Sequence, residues 1–186
     1  MRDFGSSIGL SGSLLISHPS LVDPNFLKTV IYISEHTAED GALGVVLNRP
    51  ADRTVGDVLP EKDLGALGRV PIFLGGPVAT DQLIFAAFVW NLETQRIQCE
   101  HHLSVEAAQE RAVTQAAEVR AFIGYSGWSK GQLEGELAQH AWLVTARPAR
   151  ELLNAARAPR LWRETLGTFG PWFQLVSEAP DDLSRN

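Results

Sequence analysis

A chain of 186 residues, 45% apolar and 20% charged, is long enough to bury one substantial core, and its composition excludes global disorder. Its net charge of −6 argues against a general nucleic-acid coat, and its longest apolar run, Leu83–Trp90, is too short to span a membrane as a helix. The single cysteine, Cys99, cannot form an internal disulfide, and Met1–Ser17 lacks a signal-like apolar stretch, so the expectation is a cytoplasmic domain.

Strands come first along the chain. Ser13–Ser17 and Lys28–Ser34 read as strands, the second β-branched and apolar on both faces, as in a buried sheet. Glu39-Asp40-Gly41 marks a turn, and Ala42–Leu47 returns as the second arm of a hairpin. Further strands are expected at Val70–Leu74, Gln82–Val89 and Thr94–Cys99, with Asn91-Leu92-Glu93 turning between the last two. After Leu103 the rhythm becomes helical. Ser104 can cap a helix running to about Val119, followed by a strand at Val119–Gly124. Ser129-Lys130-Gly131-Gln132 has the form of a capping box ahead of Leu133 and Leu137, and Ala141–Thr145 is a strand. Pro148 and Pro159 each fit the first turn of a helix, the second ending near Gly167. Hairpins followed by helix–strand alternation indicate an α+β domain with a mixed sheet. The expected folded core is about 9–176, with loosely ordered tails at 1–8 and 177–186.

Several segments carry residue types that could do chemistry. Asn48-Arg49-Pro50 ends a strand, where proline extends the preceding residue and displays a guanidinium fork suited to a carboxylate or phosphate. The plainer alternative is a turn with Arg49 tied to Asp52 or Asp57. Gly75-Gly76-Pro77 follows a strand and could aim successive N–H groups at an anion, or simply turn tightly; no lysine supports a phosphate loop. Gly124-Tyr125-Ser126-Gly127-Trp128 resembles a nucleophile elbow with its second glycine one place early. A hydrolase using Ser126 would also need a base, and the spacing of the five histidines singles out none. The free N–H groups of the helix start together with Lys130 favour an anion there; alternatively, Tyr125 and Trp128 pack a strand–helix corner around two glycines.

Cys99-Glu100-His101-His102 concentrates metal-ligand types, but the spacing supplies no closed zinc set, so neither a metal nor a cofactor is expected. Arg147, Arg150, Arg157, Arg160 and Arg163 interleave with Trp142 and Trp162, as on nucleic-acid surfaces. Arg160 and Glu164 are also spaced as an ordinary helical ion pair, so only weak, non-specific nucleic-acid affinity is expected. No helix-turn-helix is evident.

In order, Gly12-Ser13-Leu14-Leu15-Ile16, Asp23-Pro24-Asn25-Phe26, Glu35-His36, Gly41-Ala42-Leu43-Gly44, Asn48-Arg49-Pro50, Gly75-Gly76-Pro77-Val78, Gly124-Tyr125-Ser126-Gly127-Trp128 and Gly131-Gln132-Leu133-Glu134 resemble the AlgH/YqgE family. The resemblance implies a single α+β domain with a bifurcated, barrel-like mixed sheet flanked by helices. It implies little about activity: the family is labelled uncharacterised, or as a transcriptional regulator by association with alginate control, and brings no catalytic residues or cofactor. Three roles follow as expectations. The first is a binding or regulatory protein that takes an anionic ligand or a protein partner at Asn48, Arg49, Gly75, Gly76, Tyr125, Ser126, Trp128 and Gln132. A regulator touching nucleic acid through Arg147–Arg163 and a hydrolase using Ser126 are the alternatives.

Overall fold

Nine strands, all in one mixed sheet, organise the computed structural model, which describes residues 9–114, 117–145 and 154–179. They are β1 (Leu14–Ser17), β2 (Val30–Thr37), β3 (Gly41–Val46), β4 (Pro50–Thr54), β5 (Pro71–Leu74), β6 (Val78–Asn91), β7 (Arg96–Leu103), β8 (Ala117–Trp128) and β9 (Trp142–Thr145). The helices are α1 (Val55–Val58), α2 (Val105–Val113), α3 (Gln132–Ala138), α4 (Ala158–Gly167) and α5 (Pro171–Glu178), with short 3₁₀ turns at Gly65–Arg69 and Ala155–Arg157. The architecture is the expected α+β domain, its sheet curled into a half-barrel.

β8 is the axis. Its first part pairs antiparallel with β6, from Val89↔Ala117 to Val78↔Tyr125. Its other edge meets two strands in succession: β5 runs parallel at Ala121–Ile123, and β3 antiparallel at Ser126–Trp128. The sheet therefore forks. One branch continues through β5 to β4, and the other through β3, β2 and β1 to β9.

Gly75 sits in the crotch of the fork. Its N–H donates to the Ile123 carbonyl at 2.8 Å, while its own carbonyl accepts from Val46 N at 2.9 Å. A side chain has no room there, because a Cβ on Gly75 would land on the Gly124 carbonyl oxygen and one on Gly76 on the Tyr125 carbonyl. Gly124 itself has φ +67°, a left-handed conformation that lets β8 bend as it changes partners.

Strand β1 and the first half of β2, Val30–Ile33, are buried on both faces, which explains their apolar runs. Leu14, Ile16, Val30 and Tyr32 face the half-barrel interior, where α4 covers them with Leu161, Trp162 and Leu166. Leu15, Ile31 and Ile33 face a second cluster with Leu133 of α3. A third cluster joins Val55 of α1 and Ala108 of α2 to Ile72, Phe85 and Ala121. Within the interior lies Arg120, 1% exposed. Its guanidinium stands 5.0 Å from the Phe73 ring and 5.9 Å from Phe88, and Nη1 reaches the Leu47 carbonyl at 3.3 Å. Burial pulls its pKa down to about 10, only partly offset by Glu118, so it remains charged at neutral pH.

The half-barrel's seam lies between β2 and β7, which share no ladder. Tyr32 Oη bridges it to the Ile97 carbonyl at 3.1 Å, and Glu35 Oε1 bridges it to His101 Nε2 at 2.9 Å. A bulge between Ile33 and Glu35 makes both ties possible. Tyr32 pairs with Val45 and Glu35 with Leu43, so the extra residue returns Glu35 to the face of Tyr32.

The structure departs from the sequence expectations in specific places. β4, α1 and α5 were not anticipated. The helix expected to reach Val119 ends with Val113, because Val119 pairs with Ala87 of β6. Gly124–Trp128, read as a link between strand and helix, is strand throughout. β7 extends through Cys99–His102. Pro148 and the expected tail at 1–8 lie outside the described residues, whereas Ser177 and Glu178 close α5.

Gly75→Ala should therefore abolish folding or lower stability by more than about 4 kcal/mol. Gly135→Ala, in the interior of α3 with nothing within 4 Å of an added Cβ, should raise it by about 0.5–1 kcal/mol. Urea unfolding followed by circular dichroism checks both, and comparable effects at the two positions would contradict the fork geometry.

Candidate functional site

The eight residues expected to share a site fall into three groups. Gly75, Gly76, Tyr125 and Ser126 meet at the fork. Ser126 is fully buried, pairs with Gly44 in the β3–β8 ladder, and donates its hydroxyl to the Gly75 carbonyl at 3.1 Å. A nucleophile must reach both a base and a substrate. Ser126 instead serves as a cross-brace of the fork, which corrects the elbow reading. The Gly75 N–H is likewise held in the sheet and is not presented to an anion.

Asn48 and Arg49 form the second group, and both are used locally. The Asn48 side chain imitates a strand partner, Oδ1 accepting from Val30 N and Nδ2 donating to the Lys28 carbonyl, each at 2.8 Å. Arg49 reaches the same loop: Nη1 donates to the Asn25 carbonyl at 2.8 Å, and Nη2 donates to the carbonyls of Pro24 at 2.9 Å and Leu27 at 3.1 Å. Burial against this loop lowers the Arg49 pKa below its ordinary value, against the opposing charge of Asp23. Neither Asp52 nor Asp57 holds it; the Asp57 carboxylate accepts instead from Thr54 N at 2.7 Å and Thr54 Oγ1 at 2.9 Å.

Trp128 and Gln132 belong to a third arrangement around α3. Trp128 Nε1 and Trp142 Nε1 both donate to Glu136 Oε2, at 2.9 and 2.7 Å, and Phe26 stacks on Trp128. Gln132 is the first helical residue rather than the third of a capping box; its Oε1 accepts from Ser129 N at 3.1 Å in the preceding turn, while its Nε2 donates to Glu136 Oε1 at 3.0 Å. The helix nevertheless starts later than the box predicts: Gly131, in the left-handed region, is its N-cap, and no side chain caps it.

An opening remains beside these groups. A recess of about 350 Å³ lies at the free end of the half-barrel, between the β2–β3 hairpin and the end of β8. Glu35, Asp40, Leu43, Val78, Tyr125 and Gly127 define its walls, and Trp128 lies at its border. Its origin is steric: Gly127 stands opposite Leu43 in the β3–β8 ladder and puts no side chain into the space. Of the expected site residues only Tyr125 and Trp128 line it. Glu35, Asp40 and Gly127 were passed over, although Gly127 and the Gly41–Gly44 run sat within the motifs. The glycines gave part of the signal, but the bulge that puts the exposed Glu35 on the face of Tyr32 leaves no mark in the residue pattern.

The remaining candidates are engaged. His101 Nδ1 lies 2.8 Å from His102 Nδ1, and Glu100 pairs with Arg111 at 2.8 Å. Cys99 packs against the interior, and burial pushes its thiol up to about 12, which leaves it protonated and unreactive. No group of three metal-ligating side chains forms among the described residues. Arg147 and Arg150 lie outside those residues. Arg157 donates to Glu164 Oε2 at 2.7 Å, and Arg160 lies 3.8 Å from Glu164 Oε1, so one carboxylate offsets both cations.

A forked half-barrel with a recess at its open end defines an α+β domain built around one three-way strand junction. The chain belongs to the AlgH-like family, which matches residues 14–174. It is 37% identical to a UPF0301 protein of Streptomyces coelicolor over 188 residues, covering 95% of each chain. It is 35% identical to a UPF0301 protein of Mycobacterium tuberculosis over 184 residues, covering 95% of this chain and 90% of that one. The solution structure of the AlgH protein from Pseudomonas aeruginosa is similar, with a TM-score of 0.66 at 26% identity over 98% of this chain and 100% of that one. A crystal structure from Corynebacterium diphtheriae shares the fold, with a TM-score of 0.69 at 22% identity over 91% and 92% of the two chains.

Arg49→Ala should remove three charge-assisted hydrogen bonds and destabilise the protein by about 2 kcal/mol, and Arg49→Lys should restore little, because an ammonium lacks the planar fork. A thermal melt unchanged by Arg49→Ala would show that the residue is not a structural tie. In fluorescence anisotropy with a random-sequence duplex, affinity should fall at a log–log slope of about −0.9 per phosphate contacted and vanish near physiological salt.

Proposed function

We propose that this chain is a regulatory binding module of the cytoplasm that docks a partner protein at the recess between the β2–β3 hairpin and the end of β8. What supports docking is the recess itself. It is an open concavity, whereas the polar side chains of Asn48, Arg49, Ser126 and Gln132 are committed to internal bonds. Its size falls at the lower end of the roughly 300–1,000 Å³ of ligand pockets, and it combines apolar walls with a few polar groups, as binding sites do. An anionic ligand, the other occupant considered for this surface, would face Glu35 and Asp40 with no lysine or arginine on the lining.

The cytoplasm suits the lone thiol, and no helix among the described residues is long and apolar enough to cross a membrane.

Gly127→Leu tests the reading. A Cβ at Gly127 meets only side-chain atoms of Tyr125 and Val78, so the sheet should survive while the recess fills. Proteins captured by the wild type in affinity purification should be lost with the variant at an unchanged melting temperature. An identical capture profile would refute docking at this place.

A further inference from the structure

The lining of the recess also carries information about what would enter it. Both ionised side chains on its walls are carboxylates, Glu35 from β2 and Asp40 from the β2–β3 turn. Each is already oriented through one oxygen. Glu35 Oε1 is held by His101 Nε2 at 2.9 Å, and Asp40 Oδ2 accepts from Thr37 Oγ1 at 3.1 Å. The second oxygens, Glu35 Oε2 and Asp40 Oδ1, have no partner among the described residues. An acceptor that is held in place and still has capacity favours a charged donor, because little ordering remains to oppose binding. The rest of the lining suits the stem of such a group: Leu43, Val78 and Tyr125 offer apolar surface.

We infer that the recess receives a lysine or arginine side chain of a partner protein, its alkyl stem against Leu43 and Val78 and its charged head toward Glu35 and Asp40. This rests on the docking reading above and adds to it the sign of the partner's charge. Electrostatic complementarity of this kind selects partners and speeds encounter, and it weakens as salt rises. The protein's overall charge of −6 acts in the same direction.

The test uses the whole chain and three pools of nonapeptides, rich in Arg and Lys, in Gln and Asn, or in Asp and Glu, and otherwise matched. Binding is followed by amide chemical shifts of Leu43 and Gly127. The basic pool should shift both resonances, with affinity falling at least tenfold in the Glu35→Gln, Asp40→Asn double variant and falling as salt is raised. Asp40→Asn keeps the oxygen that accepts from Thr37, and Glu35→Gln gives up only an ion pair with an exposed carboxylate, which contributes little to stability, so melting temperatures should stay close to the wild type and the tenfold loss should report the charge facing the peptide. Equal or tighter binding of the acidic or neutral pool, blocked by Gly127→Leu, would overturn the charge assignment and leave docking standing. Basic peptides that bind the double variant as well as the wild type would do the same. If no pool shifts Leu43 or Gly127, the docking reading falls together with the inference.

Discussion

Everything in this fold depends on one close approach of main chains, where Gly75 and Gly76 lie against Gly124, Tyr125 and Ser126. Three strands converge there, and the Gly75 peptide serves two of them at once, donating to β8 and accepting from β3. A Cβ at either glycine would occupy space held by a carbonyl group. The junction therefore needs residues without side chains, and Ser126 adds a hydroxyl bond across it. A glycine pair and a single glycine far apart in the chain are in this way one structural device. Strand β8 can be shared between two branches only because its backbone bends at Gly124, in the left-handed region.

Once the sheet forks it curls, and side chains rather than a ladder close the seam. Tyr32 to Ile97 and Glu35 to His101 are the two ties between β2 and β7. The interior they enclose contains a buried cation. Arg120 is tolerated between Phe73 and Phe88 because the ring faces and the Leu47 carbonyl replace part of its hydration, as its lowered pKa reflects. The same curl leaves one end open, and the recess is that opening. Its depth comes from the absence of a side chain at Gly127, and its charge comes from Asp40 and from Glu35, which a bulge places on the face of Tyr32.

The loop Asp23–Lys28 shows how polar residues at a strand end can imitate a binding site. Asn48 and Arg49 have the composition of an anion receptor, yet their side-chain hydrogen bonds among the described residues go to backbone of residues 24–30. Backbone groups of a loop packed against a sheet must find partners, and a planar amide and a guanidinium fork supply several at once. The same holds around α3, where Glu136 gathers two indole N–H groups and the Gln132 amide. These residues look functional in the sequence because donors and acceptors of this kind serve a ligand or a backbone equally well.

Residue order by itself determined the α+β class, the apolar strands β1 and β2, the Ser104 helix start and the Pro159 helix. These rest on local periodicity, capping and burial on both faces, all of which act over a few residues. The short β4 carries no apolar alternation, and the continuation of β8 to Trp128 was hidden by glycines that elsewhere mean a turn. Only the tertiary structure decided that Gly124 meets Gly75 and Gly76, that Arg49 turns to carbonyls, and that Glu35 and Asp40 share an opening with Tyr125. Each of these is a contact between segments tens of residues apart. Whether a polar side chain there faces backbone or solvent depends on what the fold brings next to it, which local pattern does not encode.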